Sequence, residues 1–171
     1  MIGLEHGYYV PMEFAVTLQP SMIDKIVGIA KNRQVQKRGR GQVNQKISDR
    51  SDLSVEIDGL KGEYASAIIY HVAVNEGFEA DDGWDLVIFG YKVQVKYTPY
   101  PTGVLLFPTL AHFTADLAIL AVGHGPHVRL AGWIPQEEFN PPYKPKAAGS
   151  KSWFGYGISQ NQLYRMPGFT P

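Results

Sequence analysis

The sequence predicts an α/β (α+β) chain in which a central mixed β-sheet is flanked by helices. Short apolar or alternating runs recur near residues 85–89, 92–98, 103–107, 115–122 and 127–134, at strand length and strand spacing. Two stretches instead carry apolar residues at helical spacing, one at 22–33 and one between Asp58 and Gly77. The 18 Gly and 12 Pro divide these runs with turns and extended loops. At 171 residues the chain is expected to form a single domain over 1–171. Its N-terminal strand, helix and basic loop cover 1–56, the core covers 57–139, and a C-terminal loop and edge segment cover 140–171.

Residues 12–18 read as a short strand. Ser21 then caps a helix over 22–33, with Ile23, Ile26, Val27 and Ala30 on one face. Residues 34–57 are polar, basic and aperiodic, and read as a loop. The next helix is expected to start at Asp58 and stop at Gly77, with Leu60, Tyr64, Ala67, Ile68, His71 and Val74 on its apolar stripe and Glu63 at the stripe's edge. Ala115–Val122 reads as a buried central strand, paired with 127–134 through the His124-Gly-Pro-His127 turn. Residues 135–139 suit one helical turn, 140–151 a Pro- and Lys-rich surface loop, and 152–162 an edge strand.

The absence of cysteine excludes disulfides and thiolate-bound zinc. No apolar run approaches a membrane span, and the Met1–His6 start lacks the pattern of a signal peptide, so a cytoplasmic protein is expected. Formal net charge is zero, yet residues 31–50 hold seven cations against the single carboxylate of Asp49. A concentrated basic segment inside a neutral chain points to local phosphate contacts. The candidates there are Arg33, Lys37, Arg38, Arg40, Lys46 and Arg50.

The most informative run is Trp84-Asp-Leu-Val-Ile-Phe-Gly-Tyr-Lys-Val-Gln-Val-Lys96. A type II′ turn at Gly90-Tyr91 would set Asp85 opposite Lys96 and Val87 opposite Gln94, with opposed Cβ atoms about 5 Å apart. Asp85, Gln94 and Lys96 would then share one face of the sheet, because side chains alternate along a strand. Phosphodiester hydrolysis needs a divalent cation held by hard oxygens, and Mg²⁺ keeps several waters beside a few protein ligands. Asp85, the Gln94 amide, the Val95 carbonyl and Glu63 can supply those oxygens. Lys96 can orient water or stabilise charge on the phosphate.

With Glu63, Asp85, Gln94 and Lys96 in that order, the chain resembles the PD-(D/E)xK nuclease superfamily. The likeness runs over roughly 57–165. It rests on the helix with Gly62-Glu63-Tyr-Ala, the strand opening Trp84-Asp85-Leu, the strand with Gln94-Val-Lys96 and the following Ala115-Asp-Leu-Ala-Ile-Leu. Val128–Pro135 and Ser159–Tyr164 also look like small, often phage-borne, members. The resemblance implies a restriction-endonuclease-like core, Mg²⁺ or Mn²⁺ dependence and cleavage of DNA, in the host cytoplasm if the chain is phage-encoded. A homodimer would suit double-strand cutting. Gln94 stands where the family usually has Asp or Glu, which implies weaker metal affinity and a larger role for Glu63. The alternative is a catalytically weak or inactive nuclease-fold DNA-binding module.

Overall fold

Alternation along one central strand organises the molecule. In the computed structural model, which describes residues 14–41, 50–76, 83–144 and 155–166, strand β5 (Leu117–His124) is buried on both faces. Leu117, Ile119 and Ala121 enter one core, while Ala118, Leu120 and Val122 enter another. Such a two-faced strand reads as a continuous apolar run. β5 pairs in parallel with β3 (Tyr91–Thr98) and antiparallel with β6 (His127–Pro135). β1 (Ala15–Thr17) extends the sheet beyond β6, and β2 (Leu86–Ile88) extends it beyond β3, giving the order β1-β6-β5-β3-β2. The chain is therefore mixed α+β with a five-stranded mixed sheet.

Helices α1 (Pro20–Gly39) and α2 (Asp52–Tyr70) cover one face. Ile26, Ala30, Leu60, Tyr64, Ala65 and Ala67 fill the core between them and the sheet. α2 lies close because Gly62 has no side chain: a Cβ there would stand 3.2 Å from both Val95 Cγ1 and Ala121 Cβ. A three-stranded sheet covers the opposite face, in the order β4 (Leu105–Phe107), β8 (Gly155–Ile158), β7 (Tyr143–Lys144). Its core is aromatic. Phe107 stacks on Phe113 at 4.6 Å, and Phe139 meets both rings nearly edge-on.

Both helices are longer than their apolar periodicity. α1 begins at Pro20, whose fixed φ suits a first turn, rather than at a Ser21 cap. It continues to Gly39 through the polar residues read as loop. Arg33 and Lys37, one turn apart, both grip Glu56 on α2, and this tertiary contact leaves no mark in the periodicity. α2 begins six residues before Asp58, because Ser51 Oγ accepts the Ser54 N–H at 3.1 Å and Asp52 puts an acid in the first turn. Asp58 is buried within the helix, 2.6 Å from Arg50 and 3.4 Å from Lys61. The helix ends at Tyr70, not Gly77. His71 caps it in the left-handed region (φ 54°), exposed rather than on the core stripe.

The β2–β3 turn also differs from expectation. Ile88 pairs with Tyr91, so the turn residues are Phe89 (φ 51°) and Gly90 (φ 85°), both left-handed as a type I′ turn requires. The register moves by two residues from the Gly90-Tyr91 reading. Asp85 falls beside Gln94 instead of Lys96, but a shift of two preserves the faces. The short helical turn expected at 135–139 is a 3-10 turn at Gln136–Glu138.

Candidate active site

β2 is short, and its brevity makes the site. It pairs with β3 only as far as Val93, so among the described residues no strand lies beside Gln94–Thr98 on that side. Asp85, just before β2, bonds to this side of β3 twice. Its N–H donates to Val93 O at 2.8 Å, and its Oδ2 accepts the Val95 N–H at 2.7 Å. A strand residue directs its N–H and C=O to the same side. The Val95 carbonyl therefore also faces the open edge next to Asp85.

Gln94 and Lys96 are half-buried on β3. The Gln94 Oε1 atom is buried without a hydrogen-bond partner. A buried carbonyl oxygen left unpaired costs about 1–3 kcal/mol, so an added donor or cation beside it would be favourable. The Lys96 ammonium lies 4.7 Å from the centre of the Phe107 ring. That seat combines cation–π attraction with poor hydration. Burial lowers the Lys96 pKa, and the charges of Asp85 and Glu63 oppose the shift.

Glu63, next to the seated Gly62, leaves only 12% of its side chain exposed. Burial above all, and then the Asp85 charge, push its pKa up to about 8, with Arg33 and Lys96 acting the other way. Asp85 is raised by burial too, against the Val95 N–H, Lys96 and Arg33. Two buried carboxylates that sense each other, with one lysine sensing both, form a perturbed cluster of the kind found at functional sites.

The structure thus brings Glu63, Asp85, Gln94, Val95 and Lys96 into one neighbourhood. Among the described residues no three His, Cys, Asp or Glu side chains form a metal-holding group. The donors are instead two carboxylates, one amide and one backbone carbonyl. Magnesium accepts such a set, since one or two carboxylates plus waters and substrate phosphate commonly hold it.

The basic residues separate into groups. Arg33 and Lys37 adjoin the site: Arg33 Nη1 lies 3.3 Å from Glu56 and 4.0 Å from Glu63, and Lys37 lies 2.7 Å from Glu56. Arg38 and Arg40 are exposed at the end of α1. Arg50 is engaged by Asp58 and Ser54. Lys46 lies outside the described residues.

Glu56 was missed from sequence. It stands two turns before Glu63 on the same helix face, and its charge raises both Glu63 and Asp85. The seven-residue spacing would have shown it had α2 been started at Ser51. Asp116 resolves as structural: its Oδ2 accepts the Lys92 N–H at 2.7 Å and its own N–H donates to Lys92 O.

No family model, characterised protein or solved structure matches the chain. Among the described residues no helix is long and apolar enough to cross a membrane.

Proposed function

We propose that this protein is a metal-dependent phosphodiesterase that cleaves DNA, built on a restriction-endonuclease-like core. The observation that carries the reading is the electrostatic linkage of two buried carboxylates and a desolvated lysine along β3, with the unpartnered Gln94 amide oxygen on the same strand, on a side that no described strand pairs beyond Val93. Glu63, Asp85, Gln94 Oε1 and the Val95 carbonyl would hold Mg²⁺, with Mn²⁺ a substitute. The bound cation supplies positive charge that polarises the phosphodiester and acidifies water.

The chain's own groups do the rest. Asp85 is fixed by the Val95 N–H, which leaves Oδ1 as its available acceptor. Lys96, held over Phe107, donates hydrogen bonds to the attacking water or to a phosphoryl oxygen as negative charge grows there. Arg33 and Lys37 lie beside this centre, and Arg38 and Arg40 continue the positive face along α1 toward flanking phosphates.

Purified protein should nick or cut plasmid DNA with Mg²⁺ or Mn²⁺ and not with EDTA. Asp85→Ala and Lys96→Ala should each lower the rate by roughly 10²-fold or more, the scale of losing one stabilising donor. Undiminished cutting by both variants would refute the site. Gln94, a neutral side chain at a ligand position, favours a second reading as a DNA-binding module with a weak centre. That reading predicts binding without cleavage, and cutting restored by Gln94→Glu.

A further inference from the structure

Glu56 holds a place that suits a substrate phosphate. Its two carboxylate oxygens are gripped by different cations, Oε1 by Arg33 Nη1 at 3.3 Å and Oε2 by Lys37 Nζ at 2.7 Å. Arg33 is anchored on its other side, where Nη2 donates to Asn75 O at 3.3 Å. The three side chains are 17%, 29% and 12% exposed for Arg33, Lys37 and Glu56, so the cluster is partly desolvated but within reach of solvent. Arg33 also stands 4.0 Å from Glu63, which places the cluster at the margin of the candidate metal site.

Two cations meeting two oxygens of one anion is the arrangement by which Arg and Lys hold a phosphate. Here a carboxylate from the protein itself fills it. Glu56 also adds negative charge where Glu63 and Asp85 already repel each other, and it raises both. Its retention there is secured by Arg33 and Lys37, the cations that DNA would recruit.

We propose that Glu56 is an internal phosphate mimic: Arg33 and Lys37 form a two-cation site for a DNA backbone phosphate next to the reacting centre, and Glu56 occupies it until DNA displaces the carboxylate. This rests on the DNA reading above. The exchange trades one ion pair for another and breaks no covalent bond. It makes weak or misplaced DNA compete with a preformed partner, so only DNA that makes its other contacts reaches Arg33 and Lys37.

The test is the affinity for a fluorescein-labelled 20-base-pair duplex in EDTA, where cleavage does not enter. Glu56→Gln should bind roughly tenfold more tightly than the wild type, the scale of one charge-assisted hydrogen bond released. Glu137→Gln, which removes an equal charge from an exposed site, should not reproduce the gain. The gain should vanish when Arg33→Ala and Lys37→Ala are added, since the mimic then has nothing to guard. Glu56→Asp keeps the charge but is too short to bridge both cations, so it should give an intermediate gain even if Glu56→Gln fails to fold. Equal binding by wild type and both Glu56 variants overturns the inference while leaving the DNA reading intact. A gain that survives loss of both cations overturns it as well. No DNA binding by any of these proteins overturns the DNA reading and this inference with it.

Discussion

At the scale of single residues, Glu63 determines how the protein answers to pH. Its carboxyl is pushed up to about 8 from an ordinary 4.5, mainly by burial and then by Asp85. Below about 4.5 both folded and unfolded chains carry this proton. Between 4.5 and 8 the folded chain keeps a proton that the unfolded chain has released, so stability falls as pH rises through that window. Asp85, raised for the same first reason, acts with the same sign. In EDTA the melting temperature of the wild type should therefore drop between pH 5 and 8.5, and Glu63→Gln should flatten that profile. Mg²⁺ binding requires the deprotonated carboxylates, so it should raise the melting temperature more at pH 8 than at pH 6. Parallel pH profiles for wild type and variant would contradict the buried carboxylate. Phe89 shows residue-scale strain of another kind. It adopts φ 51°, which a bulky side chain disfavours, and sets its ring edge-on to Tyr70 at 6.0 Å.

At the scale of elements, α2 is the part that sequence marked and structure lengthened. Its first turn depends on Ser51, whose Oγ satisfies the Ser54 N–H. Ser51→Ala should cost about 1 kcal/mol, lowering the melting temperature by roughly 2–4 °C. Thermal unfolding would check this, and an unchanged midpoint would mean that tertiary contacts alone hold the turn. The apolar stripe of Leu60, Tyr64 and Ala67 was legible because burial imposes a period on it. The extension over 52–57 was not, since Glu56 and Asp58 belong in a helix only once Arg33, Lys37 and Arg50 stand opposite them. The far half of α1 was hidden for the same reason. The hairpin was half legible. Alternation fixed which residues share a face, whereas the turn type depended on Phe89 accepting a conformation that its side chain argues against. At the site, Glu63, Asp85, Gln94 and Lys96 were visible as an order of residue types. Arg33 beside Glu63 was not, because that contact joins two helices through a segment without periodicity.

At the scale of the whole molecule, one sheet separates two cores, helical on one side and largely aromatic on the other. The apolar run over 115–122 marked a buried central strand, but the sequence pointed to helices around the sheet and not to the three-stranded sheet that covers its second face. The second sheet was less legible, since β4 pairs with β8 far along the chain and β8 lies between β4 and β7 rather than at an edge. The sheet is buried on both faces at its centre, and among the described residues no strand pairs with β3 where β2 stops. An unpaired strand edge is a template on which another chain's backbone can add. Along Gln94–Thr98 the Val95 N–H is stoppered by the Asp85 carboxylate, a charged group that no incoming strand can replace cheaply. Asp85→Ala should free that donor and make the protein self-associate as its concentration rises, as light scattering would record. Asp85→Asn, which keeps an acceptor for the Val95 N–H, should remain dispersed. If both variants scatter like the wild type, the edge is guarded by something else. The aspartate proposed as a metal ligand would thus also keep this edge from pairing, so losing it would bring a solubility defect together with the expected loss of cutting.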